Sequence, residues 1–366
     1  MSKEVMLRVS ERKAFRNCPQ AWWWQYREGL VPKGAPASQL WFGTGIHYAL
    51  AEWYDIGFAR GVEPVKTFTS WVGKERQEYI QTGRNEFGLP EFEDAWTLGI
   101  SMLNHYRAQY GKDDELETLA IEQPFEIDVV DERGDYVCTV AGTFDGVLRD
   151  HVDGNIYLWE HKTAQQISTA YLSLDDQAGT YYAVASQVLR AHKILSPRDR
   201  IHGILYNFLR KAKPDERPRN SDGFYLNSDG TVSKRQPPAL FHREIIERNA
   251  GEVNRQLARL RDDALWMKAV RDGKAPILKN TTFMCNRCRF FEMCQLDEKG
   301  NKRAVEVMKK RMYTVQDPYW DHRKSAAELC TVMYQSERSS HRHGTPYVLY
   351  VQRQKHSLHM TDCTKT

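Results

Sequence analysis

Two stretches decide the reading of this chain: Gly142-Thr143-Phe144-Asp145-Gly146 and Trp159-Glu160-His161-Lys162-Thr163. Each sets charge into an otherwise apolar segment of strand-like composition. Residues two apart on a strand share a face, so Glu160 and Lys162 point together and His161 points away. Between the stretches lies Asp153-Gly154, a two-residue hairpin signal. A turn there pairs Val152 with Asn155, sets Asp145 directly across from Lys162 and leaves Glu160 diagonal to it, with all three on one face. The flanking Phe144, Val147, Tyr157 and Trp159 predict a buried sheet, in which two carboxylates are costly unless a cation stands between them. Carboxylate oxygens suit Mg²⁺ or Mn²⁺, and an added imidazole tilts the choice towards Mn²⁺.

Outward from this hairpin the pattern organises itself. Upstream, strands are expected at Ala120 to Val130 and Tyr136 to Arg149, and downstream at Ile156 to Lys162 and Ile201 to Leu209. The first third reads as helical: Ser10 as cap of a short helix over Glu11 to Asn17, then apolar residues at helical spacing from Trp41 to Phe58 and from Asp94 to Tyr110. A helix is predicted from Ser173, as N-cap, to His192, with Asp175 and Asp176 in the first turn where the helix dipole favours acids. Lys211 to Pro238 is rich in Pro, Asp, Ser, Gly and Arg and predicts a long loop or hairpin. A further helix is expected from Phe241 to Asp272.

The chain has 366 residues, 41% hydrophobic and 27% charged, enough to bury a large core. It has no run of about 18 apolar residues and no apolar stretch at its start, so a cytoplasmic protein with no membrane partner is expected. Net charge is only +4, but residues 299–311 carry six Lys or Arg against one Glu, and 198–219 carry seven against three acids. Such patches suit a phosphate-bearing partner.

The hairpin Asp145, then Glu160-x-Lys162, then a helix bearing Gln177-Ala178-Gly179-Thr180-Tyr181 resembles the PD-(D/E)xK nucleases of the RecB-like branch. Gly43-Thr44-Gly45-Ile46-His47 resembles the G-x-x-x-H motif of that branch. The resemblance implies an α/β, restriction-endonuclease-like core, a mixed central sheet flanked by helices, with a helical N-terminal region and a C-terminal iron–sulfur segment. It also implies a metal held by His47, Asp145, Glu160 and the backbone carbonyl of His161, with Lys162 orienting the attacking water. Gln177 and Tyr181, four apart on one helix face, would lie against the active site.

The seven cysteines are Cys18, Cys138, Cys285, Cys288, Cys294, Cys330 and Cys363, and with no export signal a disulfide framework is not expected. Cys285-x2-Cys288-x5-Cys294 offers three thiolates and needs a fourth. Cys18 sits where the iron–sulfur members of the branch, such as the AddB nuclease and the CRISPR adaptation nuclease, place their first cysteine. Four thiolates suit a [4Fe–4S] cluster or zinc, though zinc sites more often show paired C-x2-C knuckles. The cluster would close a loop of some 267 positions and staple the chain. Cys138 is expected to be a buried strand residue. Trp22-Trp23-Trp24 is read as packing around the cluster in preference to base stacking.

These readings divide the chain into a helical region with Cys18 and His47 (1–115), a nuclease core (116–212), a loop, helix and cluster segment (213–298) and a basic tail (299–366). The expected activity is that of a metal-dependent DNA exonuclease in recombination, repair or phage DNA metabolism. With no G-x-x-x-x-G-K-[ST] motor motif, it would act alone on ends and single strands or with a helicase or recombination protein. The alternatives are CRISPR-type DNA end processing with partner proteins and a non-catalytic iron–sulfur DNA-binding module.

Overall fold

A computed structural model describes residues 6–33, 39–81, 89–319 and 350–351. Its centre is a seven-stranded mixed sheet in the order β7-β6-β5-β4-β3-β9, with β1 on the side of β4 opposite β3. The strands are β1 (Met6–Arg8), β3 (Leu116–Val130), β4 (Tyr136–Asp150), β5 (Ile156–Ala164), β6 (Ile201–Arg210), β7 (Phe241–Glu247) and β9 (Tyr350–Val351). A separate ribbon pairs β2 (Leu30–Pro32) with β8 (Tyr313–Val315).

β3 runs antiparallel along the whole of β4, but the other edge of β4 is shared. β5 pairs with Gly146 to Arg149 and β1 with Thr139 to Ala141. Residues 142–145 therefore face neither strand on that edge, and β4 and β5 part at Gly146 and Trp159 while β5 continues beside β6. A fork in the sheet is the result.

Helices cover both faces. On one, Phe15 of α1 (Val9–Asn17), Val184 and Val188 of α6 (Asp176–Ala191) and Leu260 of α7 (Ala250–Arg271) pack on Ile127, Val140 and Leu158. On the other, Ile46 and Leu50 of α3 (Gln39–Trp53), Phe68 of α4 (Pro64–Gln81) and Tyr106 of α5 (Leu89–Tyr110) pack on Leu148, Trp159 and Leu205. Buried residues on both sides explain why β5 and β6 read as nearly continuous apolar runs. Among the described residues no helix is long and apolar enough to cross a membrane.

Four expectations are corrected. Phe241 to Glu247 is a strand, because its seven residues pair in unbroken register with Gly203 to Leu209 of β6, and helix α7 starts only after Asn249, whose side chain caps it by accepting from Glu252 N at 3.0 Å. Asp175, not Ser173, caps α6, accepting from Gln177 N at 2.9 Å. Arg8, not Ser10, precedes α1, and Glu11 accepts the Arg8 N–H at 3.1 Å. The β4–β5 turn is wider than two residues: Asp150 and Asp153 accept from the amides two residues on, both at 2.8 Å, and the closing pair is Asp150 with Asn155. Asp145 is thus level with Glu160 instead of Lys162; a shift of two preserves the face on which each side chain of β5 lies.

Residues 211–238 form a compact loop with two short bridges, Arg219 to Tyr225 and Leu226 to Val232. Tyr347-Val348-Leu349-Tyr350-Val351 has the composition of a strand; its first three residues lie outside the described ones, and Tyr350–Val351 pairs with β3. Cys330 and Cys363 also lie outside them.

Candidate active site at the sheet fork

The fork gathers the acidic residues. Asp145 stands at the end of the β4 stretch that has no neighbour on this edge, and its Oδ2 accepts the His161 peptide N–H at 2.8 Å and faces His47 Nδ1 at 3.4 Å. His47 reaches it from α3. The two glycines before it permit close approach: a Cβ on Gly43 would come within 3.1 Å of Thr163 Oγ1, and one on Gly45 within 2.3 Å of the Trp71 ring. On β5, Lys162 Nζ donates to Glu160 Oε1 at 2.6 Å and stands 3.9 Å from Asp175 at the start of α6.

A residue missing from the sequence reading completes the group. Glu122 of β3 lies with His47 and Asp145 so that one ligand atom from each falls within 4.8 Å of the others. Its φ of +42° is rare for a non-glycine residue. The skip in the pairing of β3 with β4 falls here: it passes from Ile121/Gly146 to Gln123/Phe144 with the register unchanged and leaves out the Glu122/Asp145 pair. The two sides of the skip differ in parity, for Phe144 and Val147 both enter the core beneath α6. This distortion aims Glu122 at the fork. A lone acid in a strand gives no sequence signal of it.

Charge is unbalanced here. Burial alone would lower the basicity of His47, but Asp145, then Glu122 and Glu160, carry its pKa up to about 9. Burial opposes ionisation of Asp145, yet His47 and His161 hold it down at about 2. Burial raises Glu160 to about 7 against the pull of Lys162, with Asp145 adding to the rise. Glu122 is also pushed up to about 7, by desolvation and then by Asp145; its side chain is solvent-accessible, so repulsion by Asp145 is the firmer cause. Three carboxylates on one imidazole and one lysine make a pocket that a divalent cation would neutralise, and oxygen donors with a single nitrogen fit Mn²⁺ or Mg²⁺.

Of the other expected site residues, Tyr181 is buried against Phe125 and Phe144, and its hydroxyl accepts from Gln177 Nε2 at 3.3 Å. The His161 ring turns away from Glu160 and Lys162, as the strand alternation predicts, and packs on Trp159.

The cysteines lie elsewhere. Cys18 follows α1; Gln20 N donates to Leu278 O at 3.0 Å and Asn280 Nδ2 to Arg16 O at 3.1 Å, tying this segment to the stretch before Cys285. Burial raises the Cys288 thiol, and Cys18 and Cys285 raise it further; Cys294, raised first by burial, also feels Cys18 and Cys288. The remote cysteine and the local three are therefore neighbours. Trp24, Phe290, Met293 and Val305 of α9 (Lys302–Met312) pack beside Cys288 and Cys294. Trp24 is buried in this group and Trp23 packs against it, whereas Trp22 is buried in the main core against Phe15; Cys138 is buried in β4.

A family model described as the PD-(D/E)XK nuclease superfamily matches residues 7–295. The match spans well over half of the chain, and the protein belongs to that superfamily, whose members are typically metal-dependent nucleases. No curated protein matches the chain significantly.

Proposed function

We propose that the protein is a metal-dependent DNA exonuclease of the RecB-like branch, acting in recombination, repair or phage DNA metabolism in the cytoplasm of a bacterial cell or infected host. The observation that carries the reading is the fork itself, where His47, Asp145 and the Glu160–Lys162 pair converge beside an opening between strands. His47, Asp145, Glu160, the carbonyl of His161 and, added by the structure, Glu122 would hold Mg²⁺ or Mn²⁺. Such an ion polarises a phosphodiester and acidifies water. Lys162, held by Glu160 and Asp175, offers a fixed N–H donor and positive charge to the attacking water and the developing phosphorane charge. Gln177 and Tyr181 line the α6 side, with Tyr181 packing the wall and Gln177 presenting its amide.

We also infer that Cys18, Cys285, Cys288 and Cys294 bind a [4Fe–4S] cluster. The mutual influence of Cys18, Cys285, Cys288 and Cys294 supports one shared site, and the one-plus-three arrangement, without paired C-x2-C knuckles, favours the cluster over zinc. CRISPR-type end processing, or work with a helicase, would use the same fork.

The test is incubation with end-labelled single- and double-stranded DNA in Mg²⁺, Mn²⁺ or chelator. Stepwise shortening that chelator stops is expected; intact DNA under every metal condition would favour a non-catalytic DNA-binding module.

A further inference from the structure

Behind the fork, a chain of polar groups runs from Asp113 through Arg243 and Asn207 to His161, and the proposed chemistry leaves it without a role. A guanidinium has five donors, no acceptor and a permanent charge, so Arg243 fixes the direction of every bond around it. It donates to Asp113 Oδ1 at 2.8 Å and Oδ2 at 2.7 Å, to the Tyr106 hydroxyl at 2.8 Å and, through Nε, to Asn207 Oδ1 at 3.3 Å. The Asn207 carbonyl is thereby engaged. Its NH₂ is then the group that faces Tyr106 Oη at 3.0 Å and His161 Nδ1 at 2.9 Å. Tyr106 accepts twice, so its own hydrogen goes to Tyr54 Oη at 2.8 Å, and Tyr54 donates to Asp113. One arrangement of protons satisfies every bond named here and leaves only His161 Nε2, at its end, without a partner.

His161 Nδ1 must accept in that arrangement, which leaves the ring proton on Nε2. The imidazole is 2% exposed, and its Nδ1 is taken up by Asn207. Neither ring nitrogen then has a lone pair to offer a cation, although the ring centroid lies 5.6 Å from that of His47.

We propose that His161 is a positioning residue of the fork, its ring locked as the Nε2–H tautomer by Asp113, Arg243 and Asn207 so that its peptide N–H holds the Asp145 carboxylate in place. The proposal rests on the fork being a metal site. Asp145 Oδ2, which receives that N–H at 2.8 Å, is the oxygen that faces His47, so a ring that pulls its own backbone out of place would move a carboxylate the cation would need. The chain also fastens α3 and α5, through Tyr54 and Tyr106, to the strand that bears Glu160 and Lys162.

Two measurements test it. In metal-free protein labelled with ¹⁵N-histidine, ring correlation spectra should show an Nε2–H imidazole with an accepting Nδ1 that is absent in His161→Gln. An Nδ1–H or charged pattern for that ring overturns the proposal, and this arm requires neither a folded Asn207 variant nor activity. Asn207→Asp keeps the shape but replaces the donor with an acceptor, and should move the proton to Nδ1 and weaken Mn²⁺ binding, followed by electron paramagnetic resonance, by roughly tenfold. Asp113→Asn should act in the same direction with smaller size. A switched tautomer with unchanged Mn²⁺ affinity overturns the positioning role alone; a wild type that binds no Mn²⁺ overturns the metal reading of the fork and this role with it, while the tautomer spectrum still reports the chain.

Discussion

Asp145, Glu160 and Lys162 come from one hairpin and are held by the middle of a sheet, whereas Cys18 and residues 285–294 are brought side by side by short helices and loops. The fork draws its precision from strands that would pair without it; the core beneath it, with Phe144, Leu158 and Trp159 almost wholly buried, owes nothing to the carboxylates. The cysteines have a small apolar cluster beside them and, as the proposed ligands of one metal cluster, would tie Cys18 to residues 285–294. Loss of chemistry and loss of stability should therefore separate: substitutions at the fork should silence the protein and leave it folded, and substitutions at the cysteines should loosen it.

The largest expected effect is at Lys162. Lys162→Ala should lower DNA cleavage by about a thousandfold or more, since charge stabilisation in the transition state is the largest single contribution in such sites. Its melting temperature and DNA affinity should remain near wild type. Cleavage at the wild-type rate would remove Lys162 from the mechanism.

Next in size is Cys18→Ser. Anaerobically purified wild type should be brown with close to four irons per chain, as one [4Fe–4S] cluster requires. The variant should be colourless and destabilised by several kcal/mol in urea unfolding, about as much as Cys288→Ser, because a remote and a local ligand close the same loop. Stoichiometric zinc in a colourless wild type would break the iron–sulfur half of the comparison and leave the fork untouched. A smaller change is expected for His47→Ala: removing one ligand of several should weaken Mn²⁺ about tenfold to a hundredfold, so that raised Mn²⁺ restores much of the cleavage. Glu122→Gln should do the same within about tenfold, since its side chain is solvent-accessible. Unchanged metal dependence there would confine the site to α3, β4 and β5. Cys138→Ser should leave the colour intact.

Much of this was legible without coordinates. β3 to β6 follow the apolar runs, and Glu160, Lys162 and the helix with Gln177 follow from periodicity. Asp145 was placed on the correct strand but opposite the wrong residue, because two Asx-type turns widened a loop that Asp153-Gly154 suggested was minimal. Phe241 to Glu247 was lost to the helix that follows it, since its strand character arises from pairing with β6 and not from its own composition. Glu122 was invisible because its aim depends on a backbone irregularity at one residue. The Asp113 to His161 chain joins residues from six separate elements or loops, and only the packed fold brings them together.

The loop between β6 and β7 has a consequence of another kind. Arg210 N donates to Leu240 O at 2.8 Å, and Leu209 pairs with Phe241, so the two strands are already closed at the neck before the chain departs. Lys211 N also donates to Ala164 O at 2.7 Å, fixing the neck beside the strand that carries Lys162. Beyond that point the loop is tied mostly to itself: Arg217 to Asp215 and Ser233, Gln236 to Tyr225. The sheet asks nothing of its length. Residues 212–238 are in this sense an insert, free to lengthen, shorten or be exchanged over generations without disturbing the catalytic strands, and a chain with a tight turn in their place should still build the same sheet.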